Sequence, residues 1–317
     1  MMYEVKQALT ATAVVCSLVA VATSSRMTRA AEPNAGLDIR LEGSQNGQDF
    51  PVLLIHLKRD GIDVGHIRVR LPEGIDAWQS DGSHTRFYQD VRSPIWPAKL
   101  ATEPVGLPVS WAGGGQDMGY VMSFDNGMKL QSRAKVEGSC VVLSHELRNT
   151  TEAEFAQSKI WNCVQLVPSP PVSDLLMERT GVFVEGEFRL FRDLVPSFRP
   201  YAKEQAVNQR FTGYARGHMP TGPNPRVSPH PGLPDDRTKD IYFWHSPKPI
   251  DRGAIATIST DGEWSVAAVG EGAPSAWSNP GISCLHADPN GGRWKPGEAL
   301  RITNSIHFVE GGDFALC

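Results

Sequence analysis

The stretch GYVMSFDNGMKLQSRAKVEGSCVVLSHELRNTT (residues 119–151) decides the fold class. Apolar and polar residues alternate on both sides of DNG (125–127), a tripeptide that favours a tight turn with positive φ. The alternation resumes after EGS (137–139) and runs to Arg148. The stretch therefore predicts three consecutive antiparallel strands, each with one apolar face.

The same pattern continues outward along the chain. A second hairpin is predicted where AIATIST (254–260) turns at Asp261-Gly262 into EWSVAAVG (263–270). No stretch has the apolar spacing of a long amphipathic helix, and 30 glycines and 24 prolines among 317 residues are typical of short strands and many turns. Other runs of strand type are LDIRL (37–41), FPVLLIHLKRD (50–60), HIRVRLP (66–72), KIWNCVQLV (159–167), GVFVEGEFRLF (181–191), DIYFWH (240–245) and LRITNSIHFV (300–309). We expect one all-β domain over 31–317, a large antiparallel two-sheet β-sandwich.

One segment departs from this pattern. Residues 196–238 are rich in proline, glycine, arginine and histidine and have no apolar period, so we predict a long loop. Loops of that length in compact domains are commonly functional, and this one contains candidate binding residues Arg210 and His218.

The N-terminus predicts export. Lys6 precedes an uncharged run of 16 residues at 8–23, and small residues precede a favoured cleavage point after Ala30. We therefore expect 1–30 to be a signal peptide and the mature chain to be periplasmic or extracellular, with no membrane attachment. The net charge of −4 without a basic cluster gives no reason to expect nucleic acid as a partner.

Four cysteines remain after such a cleavage, and the compartment would permit disulfides. Their spacing fits no zinc motif. Four cysteines can form disulfides in three ways, and the sequence leaves these pairings open, together with the alternative that some of the cysteines are buried free thiols. They are Cys140, Cys163, Cys284 and Cys317.

The segment SCLHADP (283–289) has the best candidate for catalysis. If it is extended, Cys284, His286 and Asp288 share one face, so an imidazole and a carboxylate project side by side. A carboxylate fixes the tautomer of a neighbouring histidine, which suits acid–base chemistry. The alternative is that Asp288 caps the following turn and His286 is half buried.

Trp244-His245-Ser246 is a second candidate, because an indole plane beside an imidazole is a common arrangement in pyranose sites. His245 is taken as catalytic and Trp244 as a stacking surface, and the alternative is a buried tryptophan at a strand end. His84 and Arg86 in SDGSHTRFYQD, with Arg210 and His218, are predicted to complete a polar cleft, although each alone is commonly a surface group.

No cofactor is predicted. A divalent metal held by His286, Asp288 and a third ligand such as His245 or His218 is the alternative. G-x-S-x-G, H-E-x-x-H, P-loop and G-x-G-x-x-G motifs are absent from the sequence, so serine-hydrolase and nucleotide chemistry lose their usual support.

Two segments carry a family resemblance. LSHELRNTTEAEFAQSKIWNCVQLVPSP (143–170) resembles galactose-mutarotase-like supersandwich proteins, and residues 258–311 are similar to the closing half of uncharacterised secreted proteins related to them. The second segment has a DG hairpin, Ser-Asn-Pro, Cys-Leu-His-Ala-Asp-Pro and Pro-Gly-Glu in the same order. The resemblance implies carbohydrate recognition on a concave sheet, which in some such proteins is combined with epimerase, lyase or hydrolase chemistry. No position matches the histidine pair and late glutamate of aldose epimerases, so it assigns no catalytic residue.

Two functions follow as hypotheses. The first is a secreted carbohydrate-recognising protein that acts on a sugar through His/Asp acid–base chemistry or only binds it. The second is a non-catalytic structural or protein-interaction β-sandwich. Convergence of the candidate residues on one cleft favours the first, and scattering favours the second.

Overall fold

Two large β-sheets and one helical turn make up the part of the chain that the computed structural model describes, residues 37–44, 50–89, 100–198, 209–229 and 240–311. The prediction of an all-β, two-sheet fold is confirmed. The predicted signal peptide at 1–30 and Cys317 lie outside the described residues.

The elements follow one another in chain order as β1 (Leu37–Ser44), β2 (Val52–Arg59), β3 (Ile62–Trp78), β4 (His84–Gln89), β5 (Pro104–Val105), β6 (Ala112–Gly114), β7 (Asp117–Phe124), β8 (Lys129–Glu137), β9 (Cys140–Arg148), β10 (Gln157–Gln165), β11 (Thr180–Val184), β12 (Glu187–Leu190), α1 (Phe191–Leu194), β13 (Gln209–Tyr214), β14 (Arg226–Pro229), β15 (Asp240–His245), β16 (Ala254–Ile258), β17 (Trp264–Val269), β18 (Ser275–Ser278), β19 (Cys284–Ala287) and β20 (Ala299–Glu310).

The first sheet, sheet I, has the order β1-β2-β3-β10-β19-β18-β13-β15-β14, with β4 paired to β3. The second, sheet II, has the order β12-β11-β16-β17-β20-β9-β8-β7-β5, with β6 paired to β7. The predicted three-strand meander is β7-β8-β9, and Gly127 in its first turn has φ 84°. The predicted hairpin at Asp261-Gly262 joins β16 to β17.

One core of apolar side chains joins the two sheets. It includes Leu53 and Ile67 of sheet I together with Leu130 and Leu143 of sheet II, all fully buried. Alternation along each strand sends these residues inward and leaves the intervening side chains on the outer face. The outer face of sheet I is therefore free to form a site.

A polar network crosses this core. His145 of β9 shares hydrogen bonds with the Ser132 hydroxyl through Nδ1 (2.9 Å) and with Asn162 Oδ1 through Nε2 (3.1 Å). Asn162 of β10 in turn donates from Nδ2 to Asn304 Oδ1 at 3.0 Å. The two sheets are thus joined by hydrogen bonds that satisfy one another in a dry interior.

The prediction of one loop over 196–238 is wrong for residues 209–214 and 226–229, which form β13 and β14. β13 lies inside sheet I, between β18 and β15, and its Phe211 is fully buried. A strand with so few apolar residues is too short to show a period in the sequence. Residues 199–208 and 230–239 of the predicted loop lie outside the described residues.

The expectation of purely antiparallel sheets also needs one correction, because β13 and β15 run parallel. β14 and β15 form an antiparallel pair, and β15 is the strand of this pair that is hydrogen-bonded to β13. Since the chain reverses twice between β13 and β15, these two strands point the same way.

Candidate functional site

A cleft of about 530 Å³ lies on the outer face of sheet I, over β3, β4, β10, β13, β18 and β19. Three kinds of residue line it: tryptophans, charged side chains, and a group of two cysteines and one histidine. They are Trp78, Trp161 and Trp277; Arg70, Glu73, Asp76, Arg86, Lys159 and Arg210; and Cys163, Cys284 and His286. Its volume is in the range of pockets that bind small ligands.

SCLHADP is extended over Cys284–Ala287, and Asp288 lies just beyond this strand. Cys284 and His286 of β19 face the cleft, whereas Leu285 and Ala287 belong to the core. Asp288 Oδ2 lies 3.7 Å from His286 Nδ1, which is longer than a direct hydrogen bond, and both residues are 1% exposed. His286 is thus more deeply buried than the half-buried histidine of the alternative interpretation, and Asp288 Oδ1 accepts the backbone N–H of Asn162.

Trp277 of β18 holds the histidine ring in place. The Trp277 and His286 rings are stacked, with centroids 3.5 Å apart and an interplanar angle of 6°, and the two residues are cross-strand partners. The guanidinium carbon (Cζ) of Arg210 lies over the Trp277 ring, 3.7 Å from its centroid. This stack of a cation, an indole and an imidazole fixes all three side chains.

The surroundings shift the pKa of each ionisable group in this part of the cleft. Burial by itself would lower the pKa of His286, but the Cys284 sulfur and the Asp288 carboxylate outweigh it and raise the pKa to about 9. Burial would raise the pKa of Asp288, yet Lys159 and His286 lower it overall. Burial also raises the pKa of Glu73 above its usual value. The imidazole is therefore cationic at neutral pH and Asp288 is anionic.

The pKa values of the two cysteines in the cleft are shifted in opposite directions. The Cys163 thiol and the nearby His286 lower the pKa of Cys284 well below its usual value. The hydrogen bond with Cys284, together with burial, raises the pKa of Cys163. Both are free thiols, and the sulfur atoms and one ring nitrogen of His286 all lie within 4.8 Å of one another. Within the described ranges of the chain, these three residues form the group whose donor atoms could hold a metal ion.

A row of charges crosses the other half of the cleft. Asp76 of β3 is opposite Arg86 on one neighbouring strand and Lys159 on the other. Arg86 donates to Asp76 from Nε (2.8 Å) and Nη2 (3.0 Å), and His84 Nε2 lies 2.9 Å from the same carboxylate. Lys159 Nζ is 3.6 Å from Asp288 Oδ2. The row ends beside the histidine, so the two halves form one continuous surface.

Trp161 provides a flat wall in this half. Its ring lies directly against the backbone of Gly74, and a Cβ atom at position 74 would overlap it. The guanidinium of Arg86 lies 5.4 Å from the Trp161 ring centroid. Glycine at position 74 is thus required for the close approach of the indole to β3.

The structure brings together some of the residues predicted from the sequence. His286, Arg86 and Arg210 line the cleft, Asp288 lies beside His286, and His84 binds Asp76 at its edge. His84 is also stacked on Trp78, with centroids 5.0 Å apart.

Three predicted residues lie elsewhere. Trp244 is 7% exposed and packs against Phe198 in the core, because side chains alternate along β15, so it is not a stacking surface for a ligand. The His245 ring is near Ser246 O, 3.1 Å from Nδ1, and does not line the cleft. His218 is an exposed turn residue that does not line it either. A metal site that takes His245 or His218 as the third ligand is therefore excluded by their positions.

Several cleft residues escaped the sequence analysis, namely Arg70, Glu73, Asp76, Trp78, Lys159, Trp161 and Trp277. A signal was present for two of them. In KIWNCVQLV (159–167), Lys159, Trp161 and Cys163 alternate, so they occupy one face of the strand together. Glu73 and Trp277 have no such local signal, since strand pairing alone brings them to His286.

A second depression, of about 940 Å³, lies on sheet II among β6, β7, β8, β9 and β20. It is larger than the cleft on sheet I, but its charged pairs are exposed to solvent, whereas the Asp76–Arg86 pair of the cleft is largely buried. Arg133 donates to Asp117 (2.7 Å) and Arg301 to Glu146 (2.9 Å). Exposed pairs of this kind have little energetic consequence, and we take the cleft on sheet I as the candidate site.

No family model and no curated protein matches the chain. Among solved structures, it is similar to a galactose mutarotase-like protein from Lactobacillus casei ATCC 334, with 9% identity over 84% of this chain and 99% of that one and a TM-score of 0.40. It is also similar to a putative aldose 1-epimerase from Escherichia coli K12, with 11% identity over 87% and 100% of the two chains and a TM-score of 0.36. A third similar structure is a galactose mutarotase related enzyme from Lactobacillus acidophilus, with 9% identity over 86% of this chain and 98% of that one and a TM-score of 0.36.

These descriptions agree with the resemblance of residues 143–170 and 258–311. With identities and TM-scores this low, the likeness carries no argument about activity. Within the described part of the chain, no helix is long and apolar enough to cross a membrane.

Proposed function

We propose that the chain is an exported carbohydrate-recognising protein and that the cleft on sheet I is its binding site. The observation that carries the proposal is the combination of indole surfaces and fixed charges on one outer face. Sugars are bound by aromatic planes that cover their C–H faces and by side chains that hydrogen-bond their hydroxyls. The cleft offers Trp161 as a wall, with Asp76, Arg86 and Lys159 next to it.

The charges support this function because they are already held in place. Asp76 is 4% exposed and accepts from Arg86 and His84, so its geometry is set before a ligand arrives. Sites with preorganised polar groups lose less entropy on binding than flexible ones. Export rests on the apolar run at 8–23 and gives such a protein access to glycans outside the cell.

The finer part of the proposal is that the chain also acts on the sugar. His286, oriented by Asp288 at 3.7 Å and by the Trp277 stack, is the acid–base group, and Glu73 Oε2 lies 3.9 Å from its Nε2. Two ionisable groups next to each other at the floor of a cleft are what proton transfer to and from a substrate requires. Epimerase, lyase and hydrolase chemistry all fit this arrangement.

Binding is tested by isothermal titration of the purified protein with a panel of neutral and acidic mono- and oligosaccharides. Two variants form a matched pair, because each removes an arginine that is bidentate to an aspartate. Arg86→Ala acts in the cleft and Arg133→Ala on the exposed face of sheet II. We expect Arg86→Ala to weaken binding of the best sugar at least tenfold and Arg133→Ala to leave it unchanged.

Thermal unfolding of both variants separates lost binding from lost folding. If no sugar in the panel binds the wild-type protein, the proposal is wrong and the structural or protein-interaction sandwich becomes the better account. The acid–base part is tested separately by measuring turnover of the bound sugar in His286→Gln. This variant should still bind the sugar, but its turnover should be about 10² to 10⁴ times slower than that of the wild type.

A further inference from the structure

We propose that Cys163, Cys284 and His286 bind one thiophilic transition-metal ion, Zn²⁺ or Cu⁺, with an open coordination position facing the cleft. The proposal goes beyond carbohydrate recognition and does not depend on it. It starts from the two sulfur atoms and the ring nitrogen, which lie within 4.8 Å of one another.

Strand pairing is what assembles the three donors. β10 and β19 are antiparallel, with Val164 opposite Leu285 and Gln165 opposite Cys284, so the next pair places Cys163 beside His286. Alternation along β19 puts Cys284 on the same face as His286. The donors therefore sit on two adjacent strands inside the sheet, and their backbone positions are fixed by its hydrogen bonds.

The distances are close to those of a metal centre. Zn–S bonds of about 2.3 Å and Zn–N bonds of about 2.0 Å in a tetrahedral site place ligand atoms about 3.5 to 3.8 Å apart. The three donor atoms, all within 4.8 Å of one another, are about 1 Å or less beyond that spacing. Two thiolates and an imidazole form a soft donor set that suits Zn²⁺ and Cu⁺ rather than Mg²⁺ or Ca²⁺.

A second observation also points to a ligand on the imidazole. His286 Nδ1 and Asp288 Oδ2 are buried, and neither has a hydrogen-bond partner among the described residues. They face each other at 3.7 Å. Metal-bound histidines commonly donate their second ring N–H to a carboxylate, which fixes the tautomer and leaves the other nitrogen for the metal. In the proposed site, Nδ1–H of His286 therefore donates to Asp288, and Nε2 is the nitrogen that binds the ion.

The carboxylate is held in the orientation that this role requires. Asp288 Oδ1 accepts the backbone N–H of Asn162 at 3.1 Å, where the pairing of β10 with β3 is irregular between Trp161 and Cys163. Trp277 fixes the plane of the imidazole by stacking. The contacts that orient a metal-bound histidine and its carboxylate partner are therefore already present.

The fourth position opens towards the cleft, because all three donors line it. Glu73 Oε2, 3.9 Å from His286 Nε2, is near enough to contact a ligand in that position. Three protein ligands and one open position are typical of zinc sites that act on a substrate rather than purely structural ones. An ion on Nε2 also prevents this nitrogen from transferring protons, so the acid–base role proposed for His286 applies only to the metal-free protein.

The metal content of the full chain is measured after purification under reducing conditions without chelators, followed by titration of the demetallated protein with Zn²⁺, Cu⁺ and Mg²⁺. Replacement by Co²⁺ reports thiolate ligation through its charge-transfer absorption. We expect one equivalent of Zn²⁺ or Cu⁺, thiolate absorption with Co²⁺, and no binding of Mg²⁺. Cys284→Ser and Cys163→Ser should each weaken binding by at least about 10²-fold.

Cys140→Ser is the matched control, since Cys140 lies on β9 in the other sheet and does not line the cleft, and this variant should bind the ion like the wild type. Asp288→Asn changes no donor and should weaken binding about 10- to 100-fold. The proposal is overturned if the reduced wild-type protein binds neither ion, if Cys284→Ser binds as tightly as Cys140→Ser, or if mass spectrometry finds a Cys163–Cys284 disulfide in the freshly isolated protein. Sugar titrations of the demetallated protein show separately whether carbohydrate recognition holds.

Discussion

Trp277 and His286 lie face to face across neighbouring strands, with ring centroids 3.5 Å apart and planes 6° from parallel. The pair belongs to β18 and β19, two strands of four residues each. Strands so short are placed by their neighbours, so the position of His286 depends on β10 and β13 on either side. The chemistry of the cleft therefore depends on packing across the whole of sheet I.

Gly74→Ala should displace Trp161. A methyl group at position 74 overlaps the indole ring, and the ring cannot retreat without leaving the cleft wall. We expect a loss of about 1 to 3 kcal/mol in the free energy of unfolding and a change in tryptophan fluorescence. Urea denaturation followed by fluorescence measures both.

Gly114→Ala is the control for this substitution, because an added Cβ at position 114 meets no atom within 4 Å. Its free energy of unfolding should stay within about 0.5 kcal/mol of the wild-type value. Equal losses in the two variants would show that the contact with Trp161 is not the cause.

His145 should make the fold sensitive to acid. Burial lowers its pKa to about 4, although the hydrogen bond with Asn162 opposes the shift. The unfolded chain binds a proton near the ordinary pKa of about 6.5, so the stability due to neutral His145 is complete above that pH and is lost as the pH falls towards 4. The total loss is about 3 kcal/mol.

Chemical denaturation of the wild type and of His145→Gln between pH 7 and pH 4 isolates this contribution from that of the carboxylates. The glutamine variant should lose less stability over this interval. Parallel curves for the two proteins would contradict the assignment.

Asn162→Ala should destabilise the core by about 2 to 4 kcal/mol, because it leaves His145 Nε2 and Asn304 Oδ1 buried without their partner. Asn304→Ala should cost about 1 to 3 kcal/mol. The double variant should be less destabilised than the two losses added together, since both act on one network. A double-mutant cycle by urea denaturation measures the coupling, and strict additivity would show that the network is not cooperative.

Deleting 203–236 and joining the ends with a short Gly-Ser link should abolish cooperative unfolding. The deletion removes β13, which pairs with both β18 and β15 in the interior of sheet I. Replacing only the exposed turn at 216–222 with a shorter link is the control and should preserve the fold. Cooperative thermal unfolding, followed by circular dichroism, distinguishes the two variants. An intact transition in the larger deletion would mean that β13 is dispensable.

The fold class was open to prediction from the sequence because a sheet with one buried face imposes a period of two on the chain. The strands β7, β8 and β9 show it over nine or fewer residues each, and the Gly127 turn marks the reversal. The same alternation correctly put Cys284 and His286 on one face, with Leu285 on the other. Local periodicity and turn chemistry are properties of neighbouring residues, and the sequence contains them directly.

The composition of the cleft was decided only by the tertiary structure. Glu73 and Cys163 are far from His286 in the sequence, and strand order alone brings them to it, whereas Trp277 reaches it through the pairing of β18 with the next strand, β19. Trp244 and His245 were predicted to share a site, but on a strand adjacent side chains face opposite ways, and Trp244 entered the core. The sequence specified which residues point away from the core, while pairing between distant strands, driven by burial of the shared interior, specified which of them meet.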